Sequence, residues 1–444
     1  MSVGVLHSEE PRDPGLLRTF IIIAIGQLIS IVGSSITGFC LGLWFYQHTG
    51  SVTQYAAVRT ATLLPSVLAL PLAGIFVDRY DRQKLLIATE LCAGVCSLIL
   101  AALFVGRVFT VWTVLPTLAL ASVCGTFQST ALSAILVVLV APQQRTRANA
   151  LLQLGLAVSE IVAPLAASAL SSMVTLASIL AFDVASFACA AVVIVFVRIP
   201  KSPRSGSRHL TAAFMWHEFG RACNLIRRAP GLIGLLGLGA VVNLNIGFVT
   251  TLVVPLIMSV SDEMALGRTS SAAAVGFLVG SVTMTLWGGP KRAIWGILAA
   301  TALQGGFMFC ASLYVSSTTI AAAAFGIYFT IPFVSAGSQA IWQQRIPIEA
   351  QGRIFSIRST AAVVILALAS VIAGPLADRV FEPSMRAGSG TLASVFGPYI
   401  GIGPGRGIAL MVALLAIFTV FIAVVAWISP SVRQVGNECS VRDA

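Results

Sequence analysis

Tyr55 to Val77 and Leu85 to Val105 are apolar runs, each long enough to cross a bilayer as a helix. A span needs about twenty residues at roughly 1.5 Å rise each. On that criterion helices are expected near 18–44, 55–77, 85–105, 109–140, 149–172 and 176–197, then near 230–259, 270–289, 293–315, 317–343, 353–377 and 407–428. The chain is 57% hydrophobic and 10% charged, with a mean hydropathy of +0.94. Soluble domains carry roughly 25% charged residues, so no water-soluble fold of this length fits. The expected fold class is an all-α integral membrane protein with twelve transmembrane helices in two six-helix bundles. The corresponding organisation is a tail at 1–17, a bundle at 18–197, a linker at 198–229, a second bundle at 230–428 and a tail at 429–444.

Orientation follows from where the bases fall. With an even number of spans both ends share a side with the loops at 78–84, 141–148, 198–229, 290–292 and 344–353. That side collects 21 of the 27 Lys and Arg residues; the other has Arg59, Arg107, Arg268, Arg379, Arg386 and Arg406. Positive charge stays on the cytoplasmic side, which predicts cytoplasmic termini and a multi-pass protein of the cytoplasmic membrane. The net charge of +11 is spread over short loops rather than gathered in one stripe, which argues against nucleic acid as a partner. The first long run follows Glu9, Glu10 and Asp13 and is expected to act as an uncleaved signal-anchor. In the linker, Phe214, Trp216, Phe219, Cys223 and Ile226 recur near helical spacing between charges, the pattern of an amphipathic helix on the membrane surface.

Six of the eight cysteines lie inside apolar runs and the four histidines at or beyond the span edges. No Cys/His metal spacing or nucleophile motif occurs, so neither a metal, a cofactor nor an enzymatic activity is expected.

Ionisable groups at membrane depth are costly and are functional candidates by default. Glu160 lies near the middle of the fifth run, in Leu156-Ala-Val-Ser-Glu160-Ile-Val-Ala-Pro164. It reads either as a reversible proton carrier or as a neutral acid bonded to a neighbouring helix. Asp183, about seven residues into the sixth run, reads as a relay group or as a structural acceptor. Arg59 is placed to counter either acid or to snorkel outward. Glu90, one turn into the third run, is expected to reach the cytoplasmic interface. Polar uncharged residues within spans mark a candidate substrate cavity: Gln27, Ser30, Ser34, Gln128, Asn243, Asn245, Ser335 and Gln339. With Phe39, Trp44, Phe127, Phe248 and Phe333 they describe an apolar pocket with scattered hydrogen bonders. Such a lining suits an amphipathic organic solute better than an ion or a sugar.

Between the second and third runs lies Gly74-Ile-Phe-Val-Asp78-Arg79-Tyr-Asp81-Arg82-Gln-Lys84. Asp78 and Arg82 at i, i+4 can pair with each other or with a helix end, and Gly74 clears room for a passing helix. This loop resembles the G-x-x-x-D-R-x-x-R-[KR] signature of the major facilitator superfamily, so Gly74, Asp78, Arg79, Arg82 and Lys84 are a candidate gating loop. Gly26-Gln27-Leu-Ile-Ser30-Ile-Val-Gly33-Ser34, Leu43-Trp44-Phe-Tyr46-Gln-His-Thr49-Gly50-Ser51, Arg147-Ala-Asn149-Ala150 and Gln351-Gly352-Arg353-Ile-Phe355-Ser356 resemble the macrolide-efflux and siderophore-exporter branch of that superfamily. The resemblance implies a monomeric twelve-helix exporter of small molecules, working by alternating access and usually driven by proton antiport. An importer of the same fold is the alternative within transport; a membrane-embedded enzyme or a receptor are alternatives outside it. Two features depart from the antiporter pattern: helix 4 lacks an arginine in Leu118-Ala-Leu-Ala121-Ser-Val-Cys124-Gly125, and helix 5 reads Ser159-Glu160-Ile-Val-Ala163-Pro164. Gly374-Pro-Leu-Ala-Asp378-Arg379 resembles the 2–3 loop but falls at the outer end of helix 11, so no gating role is expected of it.

Overall fold

A computed structural model of the chain describes residues 14–141, 144, 148, 151–152, 159, 162–170, 173–197, 230–290, 292–346, 348–386 and 391–434. Its helices are α1 (Pro14–Thr49), α2 (Val52–Arg79), α3 (Arg82–Val105), α4 (Val111–Leu139), α5 (162–170) and α6 (Leu176–Phe196). They continue with α7 (Pro230–Val260), α8 (Glu263–Trp287), α9 (Ala293–Leu313), α10 (Ser317–Arg345), α11 (Ile348–Leu376) and α12 (Arg406–Ile428). A π-helical turn at Ala377–Phe381 prolongs α11, and a short helix, Thr391–Ile400, precedes α12. Among the described residues eleven helices are long and apolar enough to cross a membrane. The expected span at 149–172 lies mostly outside them, as does the amphipathic linker segment.

Helix ends differ from the expected limits where polar residues carry the helix past the hydrocarbon. α8 starts at Glu263 rather than 270, because Asp262 caps it by accepting from the Ala265 amide at 2.9 Å. Capping side chains satisfy amides that have no partner within the helix. Ser51, Asp81, Thr110, Thr175 and Ser316 do the same for α2, α3, α4, α6 and α10. Large apolar side chains such as Leu68, Phe196 and Leu286 stay exposed, forming the lipid-facing surface.

The helix ends define two faces. The terminal face carries the start of α1, the α2–α3 turn and the end of α12; the far face carries the α1–α2, α3–α4 and α7–α8 turns. Within the second half α8 and α10 pack with almost no gap. A Cβ on Gly276 or Gly280 would sit 2.3 Å from the carbonyl oxygen of Phe325 or Phe329, respectively. Small residues one turn apart allow such close backbone approach between membrane helices. Gly276→Val is therefore expected to cost at least about 1–3 kcal/mol, read as a lowered Tm in detergent, whereas Val279→Ala on the exposed side leaves it unchanged.

The two halves meet at the far face. Leu43, Val52 and Tyr55 share one buried cluster with Leu252, Val254, Ala369 and Ala373. Tyr46 donates to the Pro255 carbonyl at 3.2 Å and Gln47 to Glu263 at 2.5 Å. Gly374 lets α11 lie against α2, since a Cβ there would be 2.7 Å from the Thr53 Cα.

Candidate functional site

Beneath these far-face contacts lies a cavity of about 740 Å³ walled by both halves. Its wall is largely apolar, with Phe39, Leu63, Val253 and Ile327 among the lining residues, and polar groups enter at Ser30, Ser34, Arg59, Ser97, Gln128 and Asp183. That is the usual make-up of a small-molecule site: apolar walls and a few placed polar groups.

The polar side chains on the first half form a ladder along α1. Gln27 donates to Glu90 at 2.5 Å and Ser30 to the other oxygen of the same carboxyl at 3.5 Å. One turn further, Ser34 donates to Asp183 Oδ1 at 3.2 Å, while Ser97 of α3 donates to Oδ2 at 2.6 Å. Helical spacing brings Gln27, Ser30 and Ser34 onto one face, and Glu90 and Ser97, seven apart, onto the facing side of α3. Gly33 makes room for α6: a Cβ there would lie 3.2 Å from Asp183 Oδ1 and 3.0 Å from Ser186 Oγ. Glu90 and Asp183 are 0% and 2% exposed. Carboxyls so sheltered require partners or a proton, and this ladder supplies hydroxyl and amide donors to both.

Glu90 does not reach the interface with the gating loop, as its position in the third run had suggested. It faces α1, because the rotation of α3 turns Leu86, Glu90, Ala93 and Ser97 inward together. Glu160 lies outside the described residues. Arg59 does not pair with Asp183, and its Nε is sheltered without a hydrogen-bond partner among the described residues; a pairing with Glu160 lies outside them.

Of the eight polar candidates, Ser30, Ser34 and Gln128 line the cavity. The other five do not line it, being committed elsewhere. Gln27 belongs to Glu90, and Asn243 bonds the Gly239 carbonyl of its own helix at 2.8 Å. Asn245 donates to Thr419 at 2.6 Å, Ser335 turns to the Pro332 carbonyl at 3.3 Å, and Gln339 accepts from Arg358. Among the aromatic candidates Phe39 lines the cavity, whereas Trp44 stacks on His48 with centroids 4.0 Å apart.

In the 2–3 loop the helix breaks at Tyr80, and Asp81 caps α3 by accepting from the Gln83 and Lys84 amides at 3.0 and 3.3 Å. This break removes the continuous i, i+4 geometry assumed for Asp78 and Arg82. Arg82 instead donates to the Ala134 carbonyl of α4 at 3.2 Å, and Arg79 and Lys84 are exposed. Among the described residues a Cβ on Gly74 would meet nothing within 4 Å, so none of them passes it closely in this state.

The segment given no gating role supplies a three-donor link between the halves. Asp378, just past α11, accepts from Ser51 Oγ at 2.7 Å, the Val52 amide at 3.1 Å and the Thr53 amide at 2.8 Å. A carboxylate from one half thus caps a helix of the other, where the helix dipole favours negative charge.

Comparison with known proteins agrees with this architecture. Residues 23–370 match the family model described as Major Facilitator Superfamily. The chain is 27% identical to Macrolide efflux protein A of Streptococcus pyogenes over 373 residues, covering 81% of this chain and 90% of that one. It is 28% identical to Macrolide efflux protein A of Enterococcus faecalis over 317 residues, covering 69% and 94%. Among solved structures it resembles a bacterial homolog of the human lysosomal transporter Spinster in an inward-facing, unoccupied conformation, with a TM-score of 0.66 at 15% identity, covering 96% of this chain and 98% of that one. It also resembles the nucleoside transporter NupG, with a TM-score of 0.65 at 12% identity, covering 92% and 99%. A multi-pass helical chain, two halves meeting over a shared cavity and a family match across most of its length lead to one conclusion: the chain belongs to the major facilitator superfamily of membrane transporters.

Proposed function

We propose that this transporter exports a hydrophobic or amphipathic small molecule, a drug or a natural product, by alternating access coupled to proton antiport. The observation that carries the reading is the apolar cavity between the halves, with the Asp183 carboxyl in its wall. A cargo site and a titratable group that share one cavity let protonation and binding influence each other, which coupled exchange requires. Macrolide efflux, the named activity of the two relatives above, supports export. The excess of bases on the terminal face, 21 of 27, supports a cytoplasmic position for that face, in the cytoplasmic membrane and as a monomer. In this reading the far-face contacts hold the state that loads from the cytoplasm, and the 2–3 loop engages when the halves rock the other way. Asp183 carries the proton together with Glu90; Glu160, from its place in the fifth run, remains a further coupling candidate.

The test uses cells with and without the chain, scored for susceptibility across macrolides and other amphipathic drugs and for efflux of a preloaded fluorescent amphiphile. Expression should lower accumulation severalfold, and a protonophore should erase the difference. Higher accumulation on expression would identify an importer, and efflux untouched by the protonophore would remove proton coupling.

A further inference from the structure

We propose that Arg59 receives an anionic group of the cargo, making the transported molecule an acidic amphiphile. This rests on the transport reading above and names the chemistry its cavity selects. Arg59 lies in the cavity wall, seven residues into α2, and its Nε is sheltered without a hydrogen-bond partner. A buried donor left open needs an explanation, and a guanidinium at membrane depth facing a cavity needs one more. Among the described residues no carboxylate neutralises it. Asp183 is held by Ser34 and Ser97, Glu90 by Gln27 and Ser30, and Asp378 by the start of α2.

A second donor without a partner among the described residues belongs to the same wall. Gln128 is buried, lines the cavity and leaves Nε2 without a partner. Ser122 bonds the Thr62 carbonyl and Thr126 the Ser66 carbonyl, so α2 and α4 run side by side with Arg59 level with Ala119. Gln128 is therefore about 14 Å further along the bundle, at roughly 1.5 Å per residue. Apolar wall, including Leu63 and Ala121, lies along that stretch. The arrangement fits an elongated molecule with a carboxylate, sulfonate or phosphate at Arg59, an apolar body and a further acceptor near Gln128. A guanidinium suits such groups because it can donate two parallel hydrogen bonds to them. A cationic cargo would meet Arg59 as a like charge and find both Asp183 oxygens already accepting hydrogen bonds.

The experiment uses the full chain in nanodiscs and three probes with one fluorophore and one chain length: a dansyl-labelled fatty acid, its methyl ester and the matching alkyl amine. Dansyl fluorescence is read above that of empty nanodiscs. The acid should bind best; Arg59→Gln should weaken it roughly tenfold or more, as loss of a hydrogen bond to a charged group does, while leaving the ester unchanged. Arg59→Lys keeps the charge and should retain most of the acid's affinity. Equal binding of all three probes, indifferent to Arg59→Gln, would overturn the inference and leave the transport reading standing. Binding of none above background would count against the amphipathic cavity itself.

Discussion

Asp378→Ala is expected to release the far face and move the protein out of the state described here. One carboxylate holds three donors at the start of α2, and each such charge-assisted bond is worth about 1.5–3 kcal/mol when made. Water reaches the freed helix end and offsets part of the loss, leaving a net change of about 3 kcal/mol, roughly a hundredfold in the balance between states. Asp378→Asn retains one acceptor oxygen and should give a smaller shift in the same direction. Spin labels on the exposed Val108 and Tyr314, on far-face turns of opposite halves, report the change as a longer distance by double electron–electron resonance. The labelling background must lack the exposed Cys189 and Cys310. An unaltered distance distribution in the alanine variant would show that the bond is incidental to closure.

Asp183→Asn and Glu90→Gln are each expected to reduce uphill export to the background of cells lacking the chain, while cargo binding to the purified protein stays measurable. The amides preserve shape and most hydrogen bonding, but they can neither carry a proton nor present a negative charge. The ladder explains why both matter. Ser30 and Ser34, one turn apart on α1, each donate to one of the two carboxyls, so the two acids sit on adjoining rungs of one polar ladder. Proteoliposomes with an imposed pH gradient separate coupling from binding: counterflow of cargo without a gradient should survive in both variants. Full gradient-driven export by both would remove these acids from the coupling path. If Glu160→Gln alone stopped it, coupling would move to the fifth run.

Much of the architecture was legible because apolar run length is a local property. The limits of α2, α3, α9 and α12 fell within three residues of the helices observed. Contacts between distant elements were not legible, for reasons specific residues make clear. Asp378 and Thr53 lie 325 residues apart, and nothing near either one announces that a carboxylate will cap a helix in the opposite half. Polar candidates within spans were readable as candidates, but helix rotation decided their fate. Ser30 and Ser34 turn to the cavity, while Asn245 turns to Thr419 on α12. Glu90 shows the same limit in reverse: sequence depth suggested an interfacial group, yet the face of α3 that carries it points into the bundle.

The uneven placement of buried acids has a consequence for how such a protein can change its cargo. Among the described residues, both deeply buried carboxyls belong to the first half. The corresponding polar pairs of the second, Asn245 with Thr419 and Thr251 with Ser370, consist of groups whose charge does not vary with pH. Under the proposed coupling, one half would serve as the motor and the other as a passive jaw. In that arrangement substitutions along the jaw's cavity wall, at positions such as Val253 or Ile327, would reshape its side of the cavity without retuning the drive.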